Sequence, residues 1–374
     1  MAVAQGSSDV TTLLSREPAC TPADGESGAI APELLVRIHE VMLRSRCLEE
    51  RLIFMNKQGD GFFWVGGPGE EALNASLGLL VHKGQGPDFD YLHLHYRSTA
   101  TLLAMGADPM DALRQMKNTA TDPYSAGRNF VNHYSVRRWN VVPVSSPIEV
   151  QFAMAPGTAT ANKRAGGRGI TIVQGGDAGT AEGDFATCLL WCSRPGHELP
   201  CLMIIANNAW GISTLTADQH AEKPIADRCK AFGIKSAVID GNDAEIAYRE
   251  LCRAMDYVRT ERRPFLLEAR VSRLYGHSSA SGANHVPDER DCLSLFEDKL
   301  EQRQVLTRSA MTDLRAQITQ QLLELSKRVR DEPQPRGADI WKHVYADRDR
   351  LHEPSPSPSA RAGTDLAGTN GTSH

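Results

Sequence analysis

The chain has 374 residues, 41% hydrophobic and 23% charged, the profile of an ordinary soluble globular protein with room for one large α/β core or two smaller ones. A net charge of −5 leaves no basic footprint for nucleic acid, and no stretch approaches the ~20 apolar residues of a membrane span. Met1–Ser15 lacks a basic start followed by an apolar core, so export is not indicated. The eight cysteines form no CxxC pair and read as reduced thiols of a cytoplasmic protein.

Residues 1–30 and 351–374 are rich in small and polar residues without periodicity, and are expected to be disordered tails around a working domain at 31–350. From Pro32 to Gln58, Leu34, Ile38, Val41, Met42, Leu48, Leu52 and Met55 recur at helical spacing, with charge expected on the other face. Gly66-Gly67-Pro68-Gly69 breaks the chain, and Glu70–Val81 reads as a helix entered by two acids that suit its dipole. Asp90–His95 alternates like a strand and ends at Tyr96-Arg97, a phenol and a rigid guanidinium fork that together suit diphosphate oxygens.

The polar stretch 119–140 has little regular pattern, and its aromatic and histidine content predicts a functional loop at the site entrance. Ser145-Ser146-Pro147-Ile148 follows. A helix carrying Ala153, Ala155, Gly157, Ala159 and Ala161 comes next, with small residues that suit close packing within the chain or against a second subunit.

The centre of the chain is a β-α-β unit. One apolar run, Ile170–Val173, leads into Gly175-Gly176-Asp177-Ala178-Gly179, and a second, Leu202–Ala206, leads into Asn207-Asn208-Ala209-Trp210-Gly211-Ile212. Phe185–Ser193 between them has helical length. Ligands of open parallel sheets sit beyond the carboxyl ends of the strands, where both polar clusters fall. A carboxylate (Asp177), an amide oxygen (Asn208) and a backbone carbonyl suit a hard cation such as Mg²⁺ that shares its remaining positions with phosphate and water. A dinucleotide-binding oxidoreductase or a plain α/β turn is the alternative, but the glycines do not follow G-x-G-x-x-G and no acidic residue ends the second strand.

Further strands are predicted at Ser236–Ile239 and Phe265–Arg273, with Asp243 capping a helix at Ala244–Arg259. The second of these strands leads into Tyr275-Gly276-His277-Ser278, and 293–329 reads as strongly helical and charged.

Taken in order, these landmarks resemble the alpha subunit of the thiamine diphosphate-dependent, decarboxylating first component of 2-oxo acid dehydrogenase complexes. The match rests on Gly69-Glu70-Glu71-Ala72, Tyr96-Arg97, Ser145–Ile148, Gly176-Asp177 with Glu182-Gly183-Asp184, Asn207-Asn208, Ile212-Ser213-Thr214, Asp240–Asp243 and Gly276-His277-Ser278. The resemblance implies an α/β thiamine diphosphate-binding fold, a mostly parallel sheet with helices on both faces. It implies Mg²⁺ on Asp177, Asn208 and the carbonyl of Trp210. Tyr96, Arg97 and His277 would hold the diphosphate, with His277 also facing the reacting carbon as the catalytic residue. Ser146 and Ile148 would contact the cofactor ring, and Gly176, Ala178, Gly179 and Ile212 complete the expected cofactor-binding set. Ala178 stands where the family has glycine, Trp210 where it more often has tyrosine, and Ala206 where an arginine is frequent.

Such a chain works as two alpha and two beta subunits, because the glutamate that activates the cofactor comes from the beta subunit, and it passes an acyl group to the lipoyl acyltransferase component. The isolated chain is therefore expected to be inactive. The Ser-Ser-Pro-Ile and Gly-Glu-Glu-Ala segments favour a branched-chain 2-oxo acid such as 3-methyl-2-oxobutanoate over pyruvate or acetoin. Ser281-Gly282, where branched-chain members carry an acidic pair, points the other way. A serine such as Ser278 matches a position phosphorylated in some relatives, though a polar loop needs no regulatory explanation. Intact Asp177, Asn208 and His277 argue against a non-catalytic paralogue.

Overall fold

The computed structural model describes residues 29–221 and 224–341, so the expected tails lie almost wholly outside the described residues. The chain divides into two compact units. The second begins at Pro335 and contributes, among the described residues, a short 3₁₀ turn at Gly337–Trp341.

The first unit opens with α1 (Pro32–Lys57) and α2 (Glu71–Leu80), then β1 (Tyr91–His93), α3 (Thr99–Ala104), α4 (Pro109–Met116) and α5 (Val150–Arg164). The central β-α-β unit follows as β2 (Thr171–Gly176), α6 (Gly183–Cys192) and β3 (Cys201–Asn207). The hairpin strands β4 (Trp210–Gly211) and β5 (Thr214–Leu215) come next, then β6 (Lys235–Asp240), α7 (Ala244–Glu261), β7 (Phe265–Arg270), α8 (Cys292–Gln302) and α9 (Arg308–Arg330).

Five strands form one sheet in the order β1-β2-β3-β7-β6, every neighbouring pair parallel. Strands at the centre of such a sheet are covered on both sides, so β3 is apolar from Cys201 to Ala206 instead of alternating. The two cores show this directly. Ile172, Leu202, Ile204 and Ala206 enter the larger one with α1, α2 and α7, while their neighbours Val173, Cys201, Met203 and Ile205 enter a smaller one with α5 and α6.

Local signals account for most boundaries. Pro32 opens α1 at a position where its missing N–H costs nothing. Asp243 caps α7 as expected, its carboxylate accepting from the N–H groups of Glu245 and Ile246.

Several expectations are corrected. The charged face expected of α1 is partly buried: Arg46 pairs with Glu71 at 2.6 Å and Asp291 at 2.8 Å, and Glu49 accepts from the Trp64 indole at 2.8 Å. The helical run 293–329 is two helices, because Thr307 caps a new one with its hydroxyl on the Ala310 N–H and Gln304 turns through φ +57°. Of the small residues on α5, Ala155 and Ala159 pack inward, whereas Ala153, Gly157 and Ala161 are exposed. Among the described residues six cysteines are free, but Cys252 is disulfide-bonded, against the expectation of reduced thiols. None of the described helices is long and apolar enough to cross a membrane.

Candidate functional site

A cleft opens beyond the carboxyl ends of the central strands, where ligands of open parallel sheets sit. Parallel pairing builds it. Gly176 at the end of β2 lies opposite Ala206 in β3, so Asp177 and Asn208, which follow those strands, emerge side by side. Segments beyond β1 bring His95, Tyr96 and Arg97, and the loop after β7 brings His277. Tyr96, Arg97, Ile148, Gly176, Asp177, Ala178, Gly179, Asn208, Trp210, Ile212 and His277 all line this one cleft.

The turn around Asp177 is held from behind. Its main-chain carbonyl accepts from Thr180 and from His220 Nε2 at 3.1 Å, and one carboxylate oxygen accepts from the Thr216 hydroxyl. Asn208 is oriented by its own turn, its side-chain oxygen accepting the Trp210 N–H at 3.1 Å. Left-handed backbone recurs at the rim, at Glu149 (φ 62°), Ala209 (φ 64°) and Ile212 (φ 58°). For a β-branched residue such as Ile212 that conformation is costly and persists only where the surroundings impose it, as at ligand sites.

Arg97 is buried and reaches His277 Nδ1 at 3.1 Å, the carbonyl of Gly66, and Glu70 at 3.8 Å. The glycine turn before α2 serves this arginine and does not itself line the cleft. A side chain on Gly67 would meet the Arg97 carbonyl at 2.3 Å, and one on Gly69, already at φ +107°, the Ser272 carbonyl at 2.4 Å. His277, packed edge-on to Tyr96 at 6.3 Å, is held down at about 4 by burial and by the cations Arg97 and Arg273, so its imidazole is neutral at pH 7.

Two carboxyl groups escaped the sequence reading. Glu70, which by sequence suits a helix dipole or a ligand met by the glycine-rich loop, is buried in the cleft wall and pushed up to about 7, by burial first and by Asp177 and Glu71 next, against the pull of Arg97 and Asn208. Glu149 carried no signal. It lies under the Asp177 turn, accepts the Gly176 N–H at 3.2 Å, and is raised to about 8 by burial and by Asp177, Asp184 and Glu182, with only that N–H opposing. Its carboxyl fills the space beside Gly175 and Gly179 where a side chain would sit, which gives both glycines a packing reason. His95 carries no sequence signal either; its ring packs at a tilt against Tyr96, centroids 3.8 Å apart, in the cleft wall.

Two expected segments lie outside the cleft lining. Ser146 is exposed and does not line the cleft, whereas its neighbour Ser145 does. The stretch 119–140 does not line it either: Asn132 and Tyr134 are tied inward to Val65 and the His95 carbonyl, and His133 stacks behind Tyr96 at 6.1 Å.

The donor chemistry fits a hard divalent cation. Three carboxyl groups, Glu70, Asp177 and Glu149, converge on one cleft, and Glu70 Oε2 and Glu149 Oε2 are buried without a hydrogen-bond partner. Nothing lies within 4 Å of where a side chain on Gly176 would project, which leaves the backbone there open to a ligand's phosphate.

Residues 39–337 match the family described as dehydrogenase E1 component. The chain is 28% identical over 326 residues to the Arabidopsis thaliana mitochondrial 2-oxoisovalerate dehydrogenase subunit alpha 2, covering 84% of this chain and 67% of that protein. It is 32% identical over 276 residues to the Arabidopsis subunit alpha 1, covering 71% and 57%. With 2-oxoisovalerate dehydrogenase subunit alpha of Bacillus subtilis it shares 28% over 244 residues, 65% of this chain and 72% of that one.

Proposed function

The chain belongs to the dehydrogenase E1 component family, and from that premise we propose that it is the alpha subunit of a thiamine diphosphate- and Mg²⁺-dependent dehydrogenase that decarboxylates a branched-chain 2-oxo acid. The observation that carries the proposal is the convergence of Asp177, Asn208, Arg97 and His277 on one cleft from four separate segments. The substrate class is supported by relatives named for 2-oxoisovalerate.

In this reading Asp177, the side-chain oxygen of Asn208 and the carbonyl of Trp210 hold Mg²⁺, and Tyr96, Arg97 and His277 hold the diphosphate. Bound thiamine diphosphate supplies the carbanion that attacks the ketone and the electron sink for decarboxylation. The chain's own residues bind and orient. Arg97, fixed by Gly66 and by His277 Nδ1, presents its charge without the entropy loss of a free side chain. His277, neutral at pH 7 with Nδ1 accepting from Arg97, carries its hydrogen on Nε2 and offers that N–H as a donor without an added charge in the site. Ile148, exposed at the cleft rim, offers the apolar surface for the cofactor ring, and Ser145 replaces Ser146 as the adjacent hydroxyl.

The same reading includes a beta subunit in a two-alpha, two-beta assembly, acyl transfer to a lipoyl acyltransferase and a cytoplasmic location. The test is reconstitution with a beta subunit of this family, thiamine diphosphate and Mg²⁺. Carbon dioxide is expected from 3-methyl-2-oxobutanoate faster than from pyruvate, and from neither with the chain alone. Release from neither substrate by the assembled pair overturns the proposal.

A further inference from the structure

At the far end of β3 from Asn208, three thiols meet. Cys188 and Cys192 lie on one face of α6, a helical turn apart, and Cys201 is the first residue of β3. Their sulfur atoms lie within 4.8 Å of one another, Cys188 Sγ and Cys192 Sγ at 3.9 Å, and all three residues are fully buried. Phe152, Val173, Phe185, Leu189 and Met203 belong to the same apolar core. We infer that Cys188, Cys192 and Cys201 form a binding site for a trivalent thiophilic centre of the arsenite class.

Geometry and charge select that class together. Three sulfurs on one centre at ~2.3 Å sit roughly 3.5–4 Å apart, so the observed spacing needs only side-chain adjustment. Thiolates are the binding form of cysteine, and three of them around a monovalent or divalent metal leave net negative charge in an apolar core, where an unpaired charge is strongly disfavoured. A trivalent centre with three thiolates is neutral. Arsenous acid reaches that state without redox change: three As–O bonds break, three As–S bonds form, and each thiol proton leaves with a hydroxide as water. Entry requires α6 to lift locally from β3, so uptake is slower than at exposed thiols.

The alternative is that the cysteines only fill the core. Arsenite is incubated to equilibrium with the full-length protein in its assembled form, kept reduced by a phosphine that does not itself bind arsenic. The expected result is one arsenic per chain with loss of three protons in the native mass, and three sulfur neighbours by X-ray absorption. Cys201→Ala and Cys192→Ala should each weaken uptake at least tenfold. Cys229→Ala, in the same core but outside the trio, should leave it unchanged. No uptake, or fewer than three sulfur neighbours in the unaltered protein, overturns the assignment without reliance on any variant. Full uptake by a folded Cys201→Ala protein does the same.

Discussion

Strand β3 begins among three buried thiols and ends beside three carboxyl groups, and its two ends teach different lessons about burial. At the first end the polar atoms are weak donors in an apolar core, and packing alone accounts for their stability. At the second, Glu70, Asp177 and Glu149 share a cleft with the buried guanidinium of Arg97, and burial and mutual repulsion raise Glu70 and Glu149 to about 7 and about 8. A structure that keeps such a cluster is organised around something it binds.

That contrast gives graded predictions. The largest effect is expected from Asp177→Ala, which removes a charged ligand at the cleft end: Mg²⁺-dependent binding of thiamine diphosphate should weaken more than ~100-fold by calorimetry. Unchanged affinity would move the metal elsewhere.

Arg97→Ala leaves Glu70 buried without its cation and should lower unfolding free energy by about 2 kcal/mol in denaturant titrations. The cost is less than for a fully ionised pair because Glu70 is raised to about 7. An unaltered midpoint would mean that Glu70 is protonated in the folded protein at that pH.

The metal-free protein should also lose stability as pH rises. Glu149 and Glu70 keep their protons in the folded state up to about 8 and about 7, whereas in the unfolded chain they lose them near ~4.3. The folded state therefore binds more protons across that window, and its advantage is complete below the unfolded value and declines through pH 7–8. Glu149→Gln, which retains an acceptor for the Gly176 N–H, should flatten the decline; a profile equally steep in the variant assigns it to other groups. On the acid side His277 works the other way. Its folded value of about 4 lies below ~6.5 in the unfolded chain, so its contribution is lost as pH falls from 6.5 towards 4.

The smallest effect is expected at Ser146. Exposed and outside the cleft, it should tolerate Ser146→Ala with under about twofold change in cofactor affinity, in keeping with an exposed surface substitution. Ser145→Ala should have the larger effect.

The parallel β-α-β unit, the Asp243 cap and the pairing of Asp177 with Asn208 were all legible in the sequence. Each depends on neighbours within a few residues or on periodicity along one strand, and such signals are local. Ser146 against Ser145 was not legible, because one residue's rotation in a loop decides which hydroxyl faces inward. Glu149 was hidden for the same reason: its left-handed backbone swings an otherwise ordinary acid beneath a turn 27 positions later. Glu70 looked like a helix-dipole partner until Arg97 and Asp177 closed around it. Sequence by itself determined the strands and the ligand types at their ends, since these follow from local pattern and side-chain chemistry. Tertiary structure alone decided which acids are buried together and which cysteines meet, since desolvation and proximity exist only once distant segments share a cleft or a core.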